Sequence, residues 1–202
     1  MVGLRERKKE QTRQRIAAVA LRLFSERGFD VVTVNEIAEA AEVAKATLFA
    51  YFPAKESLVL HGASGDDLAG IVARRTTGQT FIEALRAHHR ALAHVQLPPA
   101  DLDALLARIR VIHDSPALQA AANGLLYQQR QALTQVLADE YGPTAAALMA
   151  AQIAASMLAL QETYFQSLLG GTSPKDASRA LAKDVELAFD LLEHGINHTE
   201  GH

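Results

Sequence analysis

The sequence predicts an all-α protein: an N-terminal three-helix helix-turn-helix unit followed by a longer, all-helical domain. Three observations predict it. Alanine and leucine are abundant, while the Val/Ile/Thr runs and the Asn-Gly or Asp-Gly turns that announce hairpins are missing, so no strand is expected. Apolar residues recur at three- and four-residue spacings, the stripe of an amphipathic helix. Prolines and glycines punctuate these stretches at Pro98-Pro99, Ser115-Pro116, Gly142-Pro143 and Gly170-Gly171-Thr172-Ser173-Pro174, and proline's fixed φ suits a first helical turn.

The first helix shows its stripe between Arg13 and Arg27, at Ile16, Val19, Ala20, Leu23 and Phe24. Gly28 then supplies a left-handed stop. Thr33 followed three residues later by Glu36 reads as a capping box, and Val34, Ile37, Ala38 and Ala41 form the inner face of a second helix of about two turns. The connector Glu42-Val43-Ala44 leads to a third short helix, Lys45 to Tyr51, closed by Phe52 and by Pro53, which disfavours helix at the residue before it. Two short helices across a tight turn, preceded by a longer one, make a helix-turn-helix unit. Beyond Pro53 the pattern changes to long helices, expected over 54 to about 75 (with a break near Gly62 to Gly65 left open), 80–95, 99–113, 116–141, 144–169 and 174 to about 194. No fixed-period repeat or low-complexity linker occurs, and the domains are taken as 1–55 and 56–202.

At 202 residues, 49% hydrophobic and 21% charged, the chain has the composition of a globular protein with a sizeable core. The absence of cysteine excludes disulfides, thiolate metal sites and cysteine nucleophiles. Residues 1–10 are charged, and no apolar run is expected to reach the length of a membrane span or signal segment, so a cytoplasmic protein without membrane contact is anticipated. Net charge is only −3, but residues 1–55 hold ten Lys/Arg against seven Asp/Glu, and the rest ten against sixteen. Six of those cations, Arg5, Arg7, Lys8, Lys9, Arg13 and Arg15, lie within twelve residues, a pattern suited to phosphate contact. No HExxH, P-loop or GxSxG signature is present, so no enzyme is expected.

The run from Thr33 to Leu58, TVNEIAEAAEVAKATLFAYFPAKESL, resembles the DNA-binding signature of the TetR family of transcriptional regulators. Apolar Val43, Leu48 and Phe52 provide a face to dock the third helix. On its other face, Lys45 and Ala46 begin the helix where side chains reach base edges, and Lys45 can donate to guanine O6 or N7. Thr47 and Tyr51 offer hydroxyls to phosphates, and Phe49 can lie against a thymine methyl or a sugar. Lys55 opens the next helix as a phosphate clamp. The resemblance implies DNA contacts at the positions of Thr33, Lys45, Thr47, Tyr51 and Lys55, and in some members at those of Asn35 and Phe49. The sequence departs from the family at two places: Glu42 stands where glycine is usual and Ala44 where Ser or Thr is usual. A non-glycine residue in the left-handed region and an uncapped third helix are therefore expected, each costing about 1 kcal/mol.

The resemblance further implies a ligand-responsive regulator, commonly a repressor, whose C-terminal helices enclose a small-molecule inducer and pair with a second copy. Dimerisation also follows from DNA geometry, because two recognition helices must sit about 34–36 Å apart to read successive major grooves of a near-palindromic operator. Met149, Ile153 and Leu160 on the penultimate helix and Leu181, Val185 and Leu192 on the last are the expected interface positions. Phe81, His89, Ile112, Tyr127, Met157 and Gln161 are the expected pocket-lining residues. His194, His198 and His202 follow an i, i+4, i+8 spacing, but Gly195 and Gly201 weaken that helix, and no metal or cofactor is expected. The rival readings are an all-helical carrier or interaction module that has lost operator binding, and a small enzyme.

Overall fold

The computed structural model describes residues 3–61, 67–95 and 98–195. Their elements are ten α-helices: α1 Leu4–Arg27, α2 Val34–Ala40, α3 Lys45–Tyr51, α4 Ser57–Leu60, α5 Leu68–Ala73, α6 Phe81–Ala93, α7 Pro99–His113, α8 Pro116–Tyr141, α9 Pro143–Leu169 and α10 Pro174–His194. No strand occurs among the described residues. The chain divides into two compact units, Met1–Ser64 with Pro99–Gly124, and Gly65–Pro98 with Leu125–His202.

In the first unit α1 packs against α2, α4 and α7. Its expected stripe points inward, with Ile16, Ala20 and Phe24 buried. The Phe24 ring meets that of Phe29 at 5.0 Å, and Gly28 ends the helix at φ 86, its N–H donating to the Phe24 carbonyl. Here a positive φ is needed, and glycine adopts it without steric penalty. Within the helical stretch expected over 54 to about 75, with a break near Gly62 to Gly65 left open, two short helices are described. These are α4, ended by His61 in an extended conformation, and α5, whose Asp67 carboxylate accepts from the Gly70 N–H at 2.9 Å. Gly62 to Gly65, the place of that break, fall within residues 62–66, which lie outside the described residues. Asp67 thus serves as the N-cap of α5.

The second unit is a helical bundle with α10 against both α6 and α9, and α5 against α6. Its core gathers Leu68, Val72, Leu85, Leu133, Leu137, Ala146, Ala150, Ile153, Val185 and Phe189. Arg86 and Arg90 of α6 bind the acidic edge of α10: Arg86 reaches Asp190 at 2.6 Å and Glu193 at 2.9 Å, and Arg90 reaches Glu186 at 2.7 Å. Contrary to the expectation that no run is long and apolar enough to span a membrane, α9 meets that test by length and composition, with a mean hydropathy of 1.5 over 18 residues. Alanine accounts for this. It raises hydropathy without forming the large-residue runs that catch attention, and only 17% of that window is buried within the chain.

Candidate functional site

The turn between α2 and α3 is built by backbone hydrogen bonds at the end of α2. Glu42 N–H donates to the Glu39 carbonyl at 3.0 Å and Val43 N–H to the Ala38 carbonyl at 2.9 Å, the paired 5→2 and 6→1 bonds of a Schellman motif. That motif requires a left-handed residue at Glu42, which has φ 52, the one positive φ outside glycine among the described residues. Ala44 precedes α3 in an extended conformation and makes no side-chain cap. Both departures expected from the sequence are thus present, and the turn closes in spite of them.

At the start of α2 the capping box is fully formed. Glu36 N–H donates to Thr33 Oγ1 at 3.3 Å, while Thr33 N–H and Oγ1–H donate to Glu36 Oε2 at 2.8 and 2.7 Å. Arg27 holds the other carboxylate oxygen at 2.7 Å. The Thr33 backbone N–H, its hydroxyl and Arg27 together pull the Glu36 carboxyl from its ordinary 4.5 down to about 2. Thr33 therefore spends its one hydroxyl proton on Glu36. As a DNA contact it has no proton left to donate to a phosphate while the box is closed.

The third helix sorts its residues cleanly. Leu48 is buried completely, and Phe52 at its end is 1% exposed. Lys45, Ala46, Thr47 and Phe49 are exposed, as is Asn35 on α2, and Tyr51 is half-buried. An aromatic ring left 40% exposed at Phe49, beside a cation and a hydroxyl, gives an amphipathic surface that meets both base edges and sugar-phosphate. Exposed Arg7, Lys8, Lys9 and Arg15 on α1 add positive charge. Val31, two residues before Thr33, is an apolar side chain left 64% exposed ahead of the periodic stretch.

Lys55 does not stand free at a helix start. Its ammonium donates to the Phe29 carbonyl at 2.5 Å and lies over the Phe29 ring at 4.3 Å and near the Phe24 ring at 5.7 Å. This ties the segment after α3 to the α1–α2 loop, and burial pushes the ammonium's pKa down. Two of its three N–H donors are left for a phosphate.

A cavity of about 180 Å³ in the second unit is lined by His89, Met157 and Gln161, with mainly apolar companions such as Leu68, Leu158 and Leu181. His89 Nδ1–H donates to the Leu85 carbonyl at 2.8 Å. Three of the expected lining residues are elsewhere. Phe81 packs on the core, its ring 5.4 Å from that of Tyr141. Ile112 lies on α7, which belongs to the first unit. Tyr127 is 54% exposed, and its hydroxyl oxygen accepts from Gln131 at 2.8 Å. Of the expected interface residues, Ile153 and Val185 are 1% and 2% exposed inside the chain's own core, so they have no surface to offer a second copy. Met149, Leu160, Leu181 and Leu192 pack half-buried against the same core. The free apolar surface on these helices is instead at Leu148 and Leu187, 61% and 53% exposed. Of the spaced histidines, His198 and His202 lie outside the described residues. His194 sits with Asp190 and Glu193 in an exposed cluster, whose two carboxylates already receive Arg86.

Comparison with known proteins matches the two halves separately. The family described as "Bacterial regulatory proteins, tetR family" covers residues 16–61, and "MftR C-terminal domain" covers 79–197. The mycofactocin biosynthesis transcriptional regulator MftR of Mycobacterium tuberculosis is 28% identical over 95% of this chain and 94% of its own. The regulator TcmR of Streptomyces glaucescens is 36% identical over 58% of this chain and 55% of its own. Among solved structures, Thermus thermophilus FadR, a TetR-family repressor in complex with lauroyl-CoA, is similar with a TM-score of 0.53 and 29% identity, covering 94% of this chain and 97% of that one. A buried Leu48 beneath an exposed Lys45–Phe49 surface, the turn at Glu42 and these likenesses agree: the chain belongs to the TetR family and is a DNA-binding transcriptional regulator.

Proposed function

We propose that the chain acts in the cytoplasm as a homodimeric repressor, holding a near-palindromic operator through Lys45, Ala46, Thr47, Phe49 and Tyr51 and releasing it when an apolar small molecule enters the second unit. The single observation that carries the DNA half is the exposure of Lys45, Ala46, Thr47 and Phe49 on a helix anchored by Leu48. A second copy is called for because one seven-residue helix reads only a few base pairs. The mostly uncovered apolar length of α9, with Leu148 on it and Leu187 on α10, is the surface a partner would cover.

Support for an apolar inducer comes from the lining around Met157 and from the lauroyl-CoA complex of the T. thermophilus relative. A volume of about 180 Å³ is below the roughly 300–1,000 Å³ of ordinary ligand pockets. The ligand therefore favours a wider state, and only its differential affinity for that state can weaken operator binding. The test is a salt titration of binding to promoter DNA with and without fatty acyl-CoA. Affinity should fall steeply with salt, and Lys45→Ala should lose about 1–3 kcal/mol and relax base preference. Binding of acyl-CoA that left operator affinity unchanged would remove the induction claim. Failure to retard any promoter fragment at low salt would favour the carrier reading.

A further inference from the structure

The first unit contains a second cavity, of about 400 Å³, between one face of α1 and α7, with His61 at its edge. Its walls are small residues, Ala17 and Ala18 of α1 and Ala104 and Ala107 of α7, which leave room a larger side chain would fill. Its polar lining is lopsided. Arg22 is answered by Glu26 at 3.2 Å, and Glu10 accepts from Gln14 at 3.1 Å. Arg13 and Arg108 have no carboxylate partner among the described residues. Arg13 Nη2 instead donates to His61 Nδ1 at 3.1 Å, which requires a neutral imidazole. The Nε atoms of both arginines are shut off from solvent with nothing to bond. Burial holds the Arg108 guanidinium below its ordinary pKa, and burial followed by the nearby Arg13 does the same to His61. A half-buried guanidinium without a counter-charge is costly, and an anion is what offsets the cost.

We propose that this cavity is a binding site for a small oxyanion, a carboxylate or a phosphate, received by Arg13 and Arg108. The site is independent of the apolar pocket in the second unit and of the α3 surface. Occupied, it cross-links α1 to α7 and stabilises the unit that carries the helix-turn-helix.

The experiment uses the full chain and titrates sodium phosphate and, separately, sodium acetate, with sodium chloride holding ionic strength constant. Saturable binding by calorimetry, with a rise in Tm on the order of 2–4 °C, is expected from at least one. The two salts separate a phosphate from a carboxylate preference. Arg108→Gln should abolish the response and Arg13→Gln should weaken it, while Arg108→Lys should retain part of it. Should the glutamine variants fail to fold, broadening of the phosphate ³¹P resonance by the wild-type protein, reduced by Arg108→Lys, decides. Lack of saturation with both salts overturns the proposal, as does an undiminished response in Arg108→Gln. So does a loss of operator affinity and salt slope in Arg108→Gln without anion binding in the wild type, since the arginine would then face the DNA backbone.

Discussion

The helix-turn-helix and the α9–α10 pair are both amphipathic, yet they leave opposite kinds of surface uncovered. Seven-residue α3 commits Leu48 to the interior and shows solvent a cation, a hydroxyl and one aromatic ring. The 27-residue α9 commits Ala146, Ala150, Ile153 and Leu168, and still exposes Leu148 and a row of alanines including Ala147, Ala155 and Ala159. A polar exposed face with an aromatic ring suits a duplex, whereas a small apolar one suits another helix approaching closely. The two regions thus differ in what must complete them. Breaking the buried side of each should cost stability; breaking the exposed side should cost only a partner.

The largest effect tests the buried side. Leu48→Ala in α3 and Ile153→Ala in α9 each empty a fully packed position, and each should lower unfolding free energy by about 3 kcal/mol in urea denaturation. Only Leu48→Ala should also impair operator binding, by loosening the helix that carries Lys45. Equal loss of DNA affinity from both would show that the two regions are not separable in this way.

That contrast also explains what could be read from the sequence. The ends of α2 and α3 were legible because their signals are local: the Thr33-to-Glu36 box, the turn at Glu42 and the stop at Pro53 each act within four residues. The exposed reading face followed from the same short span. Ile153 and Val185 were misjudged as interface because helical spacing says which residues share a face, not which neighbour covers it. The core they join includes Leu133 and Leu137, which are distant in sequence from both. For the same reason nothing near Ile112 announces that α7 returns to α1. The cavity at Arg13 and Arg108 was invisible as well: Arg13 looked like one more cation in a basic stretch, and its partner His61 is 48 residues away.

A middling effect probes the exposed side of α9. Leu148→Glu puts a charge on the face a second copy would bury, and the dimer dissociation constant should rise by roughly tenfold or more in sedimentation equilibrium, with helicity and monomer stability retained. Leu148 is 61% exposed, so no core contact is lost. An unchanged dimer would move the interface off this face. A smaller change, of the opposite sign, belongs to the turn. Glu42→Gly relieves the left-handed non-glycine residue at φ 52 and should stabilise the chain by about 1 kcal/mol, less what glycine's unfolded-state entropy takes back. A net loss of stability would mean that the Glu42 side chain contributes more than its backbone strains.

The subtlest expectation compares two copies of one device. Thr80 and Glu83 open α6 with the same capping box that Thr33 and Glu36 form on α2, at 2.8 Å from the Thr80 N–H to the carboxylate. The Thr80 backbone N–H and hydroxyl lower the Glu83 carboxyl too, but no arginine assists there. Arg27 on Glu36 is the difference. Both carboxyls are depressed by folding, so each contributes stability that is full above the ordinary value of 4.5 and fades as pH falls through the folded one. For Glu36 that fading extends down to about 2; for Glu83 it finishes at higher pH. As pH falls below 4.5, the destabilisation by Glu83→Gln, measured from urea midpoints, should therefore fade before that of Glu36→Gln does. Removing Arg27 as well, in Arg27→Gln, should make the α2 box fade like the α6 box. If the two penalties decline together in the wild-type background, the Arg27 contact at 2.7 Å is an exposed ion pair of no consequence, as many are.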